Sequence, residues 1–151
     1  MEIYISDAEI RHLSQMEKIE KLCFSLPWTY DQLKTCLKDA QHECIVALNS
    51  DDMVFGYVGM MCVLDEGYIG NIAVHPEYRR LGIADRLMKQ LKTVAESRGL
   101  QFISLEVRAG NEPAIMLYQK HGFVSCGRRS NYYSFPKEDA VIMTKLLKTE
   151  A

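Results

Sequence analysis

Apolar positions along the chain change period several times, and each change marks an element. Residues 3–10, IYISDAEI, alternate imperfectly and predict a first strand. Behind them Met16, Ile19, Leu22 and Cys23 recur at helical spacing. Ser14 with Glu17 three residues on is a capping-box pattern, so a helix is predicted near 15–24, closed by Pro27. Thr29 with Gln32 is a second such pattern and opens a short helix carrying Leu33, Cys36 and Leu37. Three strand-like runs follow: ECIVALN, MVFGYVGMMCVL and GYIGNIAVH, the last ended by Pro76. The turn clusters NSDD and DEG between them are short, which predicts an antiparallel meander.

From Ile83 the period is helical again. Ile83, Leu87, Leu91, Val94 and Ala95 mark one face, and Gly99 stands where a left-handed C-terminal cap belongs. QFISLEVR is a strand. EPAIMLYQKH is a helix, with Asn111 as N-cap, Pro113 in its first turn and Gly122 after its end. FVSCGRRSNYYSF and EDAVIMTKLL complete the pattern as two antiparallel strands. A strand, a helix and a strand between 67 and 108 imply a crossover, so part of the sheet is parallel. The class is α/β or α+β, built on one mixed sheet. The 151 residues suit a single domain spanning 1–151, with no linker, repeat or low-complexity stretch.

Composition removes several function classes. Apolar residues make up 48% and charged residues 25%, an ordinary globular balance. The net charge of -2 supplies no basic field for nucleic acid. Two basic pairs, Arg79–Arg80 and Arg128–Arg129, are suited to local anions. The 5 cysteines are odd in number and contain no C-x-x-C, so neither a zinc site nor a disulfide framework is expected. They read as small buried hydrophobes. MEIYISDAEIRH lacks the apolar core of a signal peptide, and GYVGMMCVL is too short to span a bilayer. The expectation is a soluble protein of a reducing cytosol, with no membrane partner and no metal.

The stretch EYRRLGIADRL, residues 77–87, carries the first candidate chemistry. Arg79 to Ala84 follow [RQ]-x-x-G-x-[GA] between a strand and a helix. The first N–H groups of a helix lack intrahelical partners, and the helix dipole adds partial positive charge there. Together they suit a phosphate. Gly82 removes the Cβ that would block close approach, and Arg79 and Arg80 add charge. The pattern alone is equally that of a helix start with solvated arginines.

Four segments in order change that balance: NIAVHPEYR, RRLGIA, LEVR and NEPAIMLYQKHGF. The set resembles the GNAT superfamily of acetyl-CoA-dependent N-acetyltransferases, over residues 3–148. FSLPWTYDQL and NYYSFPKEDAVIM resemble the branch that acetylates the N-terminal alanine of a bacterial ribosomal protein. The resemblance implies a GNAT fold: one mixed, mostly antiparallel sheet of six or seven strands with about four helices.

It also implies roles. Ile72, Ala73 and Val74 pair through their backbone with the pantetheine arm of acetyl-CoA. Arg80, Leu81, Gly82, Ile83, Ala84 and Asp85 hold the diphosphate, and Asn111 contacts the cofactor. An acid at Asp85 is out of place beside a phosphate unless it points away, where it favours the helix dipole. Asn111 is equally an N-cap. Glu106 matches the family's general base and Tyr118 its general acid. A backbone N–H near Val74 serves as oxyanion donor. By pattern alone Glu106 is a solvent-facing strand residue beside Arg108, and Tyr118 a core tyrosine with its hydroxyl at the surface. Trp28, Tyr132 and Tyr133 are suited to wall the acceptor, the N-terminus of a small-subunit ribosomal protein, and are equally a core tryptophan and ordinary strand tyrosines. Lysine or small-amine acetylation stays open, as does a non-catalytic module that binds coenzyme A.

Overall fold

The β-branched and aromatic runs become strands, and the 3.6-residue runs become helices packed on both faces of their sheet. The computed structural model describes residues 2–147. Its elements are β1 (Tyr4–Asp7), α1 (Leu13–Cys23), α2 (Tyr30–Lys38), β2 (His42–Leu48), β3 (Val54–Val63), β4 (Glu66–Val74), α3 (Ile83–Ser97), β5 (Phe102–Arg108), α4 (Glu112–Lys120), β6 (Val124–Ser134) and β7 (Lys137–Leu146). One 7-stranded sheet runs in the order β1-β2-β3-β4-β5-β7-β6. Every pairing is antiparallel except β4 with β5, the neighbours joined through α3.

Alternation along the strands divides the core between two faces. Ile83, Leu87 and Leu91 of α3 pack on Phe55, Val58, Ile103 and Leu105. On the opposite face Leu13, Met16 and Ile19 of α1 and Leu33 of α2 cover Val46, Leu48 and Tyr57. Each such aliphatic side chain, taken fully out of water, contributes about 1.5–3 kcal/mol. β5 is the clearest case of alternation. Ile103, Leu105 and Val107 are buried toward α3, while Phe102, Ser104, Glu106 and Arg108 turn to the α1 face.

Three local expectations are corrected. The first strand stops at Asp7, and a 3-10 turn at Ile10–His12 feeds α1 directly. That helix therefore starts at Leu13, and Ser14 lies inside its first turn rather than capping it. The cause is tertiary. His12 is fully buried, accepts from the Glu9 N–H at 3.0 Å and lies 3.2 Å from Asp52. Gln15 donates to the Asp52 carbonyl at 2.9 Å and accepts from the Val54 N–H at 2.8 Å. The β2–β3 turn thus fixes where α1 begins. The cysteines are less uniform than expected: Cys62 is buried, Cys23, Cys36 and Cys44 are half-buried, and Cys126 is exposed on the edge strand β6.

The Thr29–Gln32 box caps α2 in both directions, and Gly99 ends α3 with φ +73°. No helix among the described residues is long and apolar enough to cross a membrane.

Candidate active site

The parallel pair β4–β5 is short. Glu66, Gly67 and Tyr68 pair with Phe102, Ile103 and Ser104, and there the ladder ends. Beyond it β4 stays with β3 and β5 with β7, so a cleft opens between residues 69–74 and 105–108. A register shift against Gly59/Met60 makes Gly70 an extra residue on β4, a bulge at the head of the cleft.

The β4 backbone facing the cleft follows from the ladder. His75 N–H donates to Phe55 O at 2.8 Å, so that pair is hydrogen-bonded. Antiparallel pairs alternate, which commits Ala73 to Tyr57 and turns the N–H and C=O of Ile72 and Val74 toward the cleft. Of the three strand residues singled out, Ile72 offers both its N–H and its C=O there, Val74 its N–H, and Ala73 neither. The Val74 carbonyl already accepts from Arg79 Nε at 3.2 Å and Cys23 Sγ at 3.5 Å.

Past the strand, Arg80 (φ +66°) and Gly82 (φ +74°) both adopt left-handed conformations before α3. Such a conformation costs a non-glycine residue about 1–2 kcal/mol, and strain of this kind marks functional sites. The first helical bond is Arg86 N–H to Gly82 O at 3.2 Å, and no side chain caps the helix. Among the described residues, the N–H groups of Arg80, Leu81, Gly82, Ile83, Ala84 and Asp85 have no acceptor. A Cβ on Gly82 would meet no protein atom within 4 Å. The site is an open cradle of main-chain donors at a helix start, able to take an anion.

Side chains around the cradle are arranged differently from the expectation. Arg79 is drawn to Val74 O and to Cys23 Sγ at 3.4 Å, so only Arg80 of the pair is left to add charge. Asp85 turns away: its carboxylate lies 2.9 Å from Lys120 Nζ and 2.8 Å from His121 Nε2. These hydrogen bonds, Lys120 first, hold its carboxyl below the usual range. Asn111 Oδ1 caps α4 by accepting from Ala114 N–H at 3.3 Å, as a capping residue should.

Across the cleft, Glu106 sits mid-strand. Its Oε1 is 3.6 Å from Arg129 Nε, while Oε2 is buried without a hydrogen-bond partner among the described residues. An unpartnered buried carboxylate oxygen is costly and calls for a reason. The expected partner, Arg108, is taken by Glu138 at 3.3 Å and by the carbonyls of Phe135 and Pro136, each at 2.8 Å. The Arg108 guanidinium also lies 4.3 Å from the Tyr133 ring centroid. Tyr132 and Tyr133 meet edge-on with centroids 5.0 Å apart. The neighbouring Glu106 carboxylate, then burial, raises the Tyr132 phenol, and burial pushes Tyr133 up to about 12. Tyr118 is almost fully buried, its ring 5.8 Å from Phe123, and burial raises its pKa strongly with Tyr133 nearby.

Trp28 approaches from the α1–α2 loop, where its ring would lie 3.6 Å from a Cβ on Gly70. Ser25 Oγ in the same loop donates to Phe135 O at 2.5 Å, joining that loop to the β6–β7 turn. The structure therefore brings Tyr132 and Tyr133 near Glu106, with Trp28 over the bulge, while Tyr118 neighbours Tyr133 but belongs to the core on the α3 face.

A family model described as the acetyltransferase (GNAT) family matches residues 12–123. The chain belongs to that family. This acetyltransferase is 36% identical over 129 residues to the [ribosomal protein bS18]-alanine N-acetyltransferase of Salmonella typhimurium, covering 83% of this chain and 85% of the relative. It is 33% identical over 141 residues to the Escherichia coli K12 protein of the same name, covering 92% and 94%. The crystal structure of the ribosomal-protein-S18-alanine N-acetyltransferase from Escherichia coli superposes with a TM-score of 0.90 at 30% identity, over 99% of this chain and 97% of that one. The GNAT fold and acetyl transfer from acetyl-CoA as cosubstrate follow from these matches.

Sequence reasoning passed over Glu20 and Asn71, whose side chains meet at 2.9 Å beside the Gly70 bulge. Glu20 had a signal: it is an acid four residues after Met16, on the apolar face of α1. Asn71 had none, because it stands in a strand beside a bulge that no local pattern announces.

Proposed function

We propose that this acetyltransferase moves the acetyl group of acetyl-CoA onto a protein α-amino group, the N-terminal alanine of the small-subunit ribosomal protein bS18. The acceptor is the one for which the Salmonella and Escherichia relatives are named. The observation that carries the mechanism is Glu106 Oε2, buried and without a partner beside the β4–β5 gap.

In this reading the amides of residues 80–85 hold the diphosphate, with Arg80 adding charge. The cradle fits it: the donors are unpaired, and the space over Gly82 is open. Ile72 bonds the amide-rich pantetheine arm as a strand would, Val74 meets the cofactor through its N–H, and Asn111 meets it at the start of α4. Trp28, Tyr132 and Tyr133 wall the acceptor. An α-amine is largely protonated at neutral pH, since its pKa is about 7.7–8.0. Glu106 Oε2 takes that proton, leaving a nucleophilic amine. The Val74 N–H receives charge that builds on the thioester oxygen. Tyr118, kept protonated by burial, donates to the departing sulfur. Its raised pKa makes complete transfer to a thiolate of pKa about 8.5 uphill, so its contribution is a hydrogen bond that strengthens as the C–S bond breaks; the proton the thiolate takes up is the second one, shed by the amine nitrogen as the amide forms.

Incubation with acetyl-CoA and a peptide bearing the bS18 N-terminus, read by mass spectrometry, tests the assignment. Acetyl on the alanine nitrogen is expected. Label confined to lysine ε-amines overturns it.

A further inference from the structure

Among the described residues, Glu20 is the acidic side chain with no exposed surface, and nothing in the mechanism uses it. Its Oε1 accepts from the Trp28 N–H at 2.7 Å and its Oε2 from Asn71 Nδ2 at 2.9 Å. One turn earlier Glu17 accepts from the Tyr30 N–H at 2.8 Å. α1 therefore holds the acceptor-side loop by two main-chain N–H groups. Through Glu20 it also holds β4 beside the Gly70 bulge, immediately before Ile72.

A brace for packing alone needs no carboxylate. Leu13, Met16 and Ile19 already dock α1, and an apolar residue at 20 would avoid the cost of burying a charge. That burial raises the Glu20 pKa, while the Trp28 and Asn71 hydrogen bonds oppose the rise. What a carboxylate adds is direction: two donors from separate segments converge on two oxygens at fixed angles.

We propose that Glu20 is a positioning residue whose carboxylate, bridging the Trp28 amide and the Asn71 side chain, sets the acceptor wall relative to the cleft edge of β4. It thereby fixes the approach of the amine to the thioester carbonyl. The inference rests on the acceptor reading above.

The test is a pair of variants assayed with acetyl-CoA and the alanine-terminated peptide. Glu20→Gln turns an NH2 toward one of the two donors and breaks that bond. In a variant that melts as wild type does, KM for the peptide rises about tenfold or more, the scale of one charge-assisted hydrogen bond, while KM for acetyl-CoA is unmoved. Glu20→Gln combined with Asn71→Asp restores both bonds: the introduced side-chain amide donates to the introduced carboxylate and accepts from the Trp28 N–H. Peptide KM returns to within about threefold of wild type. A folded Glu20→Gln enzyme with unchanged peptide KM overturns the proposal. So does a folded double variant that recovers nothing. Wild-type turnover is the control: its absence on the peptide overturns the acceptor assignment, whereas normal wild-type turnover with an indifferent Glu20→Gln sinks the clamp alone.

Discussion

The cradle at 80–85 is made of main chain, and the cluster around Glu106 is made of side chains. The cradle is six consecutive residues, shaped by two left-handed backbone positions and a helix start. The groups proposed for proton transfer lie on β5 and α4, with Tyr132 and Tyr133 of β6 beside Glu106 and Trp28 reaching over from the α1–α2 loop. A phosphate needs several unpaired N–H groups, which any sequence with the right turn supplies. Proton transfer needs particular functional groups at particular distances, which only the folded sheet brings together. The two regions should therefore fail differently: damage to the cradle costs cofactor affinity, and damage to the cluster costs turnover.

Glu106→Gln gives the largest effect. The amide cannot accept the ammonium proton, so kcat falls about 10²–10⁴-fold with KM for acetyl-CoA little changed. The deficit has a direction with pH. Above the amine pKa of about 7.7–8.0 the acceptor arrives already deprotonated, so the variant recovers relative to wild type as pH rises. Steady-state kinetics from pH 6.5 to 9.5 reads this; a ratio constant across that range means Glu106 is not the base.

Tyr118→Phe comes next. The ring still packs on Phe123, and only the hydroxyl is lost. A drop in kcat of roughly 10–10²-fold is expected, at the low end for acid catalysis, because a phenol with so raised a pKa contributes a hydrogen bond more than a proton. The two variants together are expected to lose less than the product of their single effects, since both act on one step. A cofactor KM that moves as far as kcat would erase the division between the two regions.

What could be read from the chain follows the same division. RRLGIAD announces a helix start, because a glycine before an amphipathic run is a local signal and α3 begins at Ile83; the left-handed conformations of Arg80 and Gly82 came only with the structure. The strand and helix order was legible for the same reason, down to the Thr29–Gln32 box and the parallel crossover from β4 to β5. The start of α1 was not, because a buried His12–Asp52 contact set it across 40 positions. Nor was the pairing of Glu106. Arg108 shares its strand face, yet the β6–β7 turn claims that arginine, and Arg129 arrives from β6 in its place. Alternation reports which face a residue takes, not which distant side chain waits there.

Gly82→Val sharpens the cofactor side. The valine Cβ meets no protein atom, so no packing is lost. Two penalties remain: a β-branched residue at φ +74°, and methyl groups in the space over the amides. Strain of about 1–2 kcal/mol corresponds to roughly tenfold or more in acetyl-CoA affinity if the loop relaxes to escape it. Calorimetry reads the affinity, and kcat at saturating cofactor should stay within a few-fold of wild type. Unaltered affinity removes the cradle from the account.

Lys120→Met is the finest probe, because it changes the cradle's electrostatics without touching its backbone. Lys120 and His121 hold the Asp85 carboxylate toward α4 and below its usual pKa, so it is ionised throughout the neutral range. The stability this lends is present above the unfolded carboxyl pKa of about 3.9 and is lost as pH falls through the lower folded value. Removing Lys120 leaves a carboxylate in the first turn of α3 with His121 as its remaining partner, close to the unpaired amides of the cradle. The pair is largely exposed on the lysine side, so its worth is at most about 1 kcal/mol, and acetyl-CoA affinity should fall only about two- to threefold. Salt distinguishes this from a steric effect: at about 1 M ionic strength the Debye length shrinks to about 3 Å, and the difference from wild type should vanish. A loss that persists in high salt would mean that Lys120 touches the cofactor itself, which would add a side chain to the region described here as built from main chain.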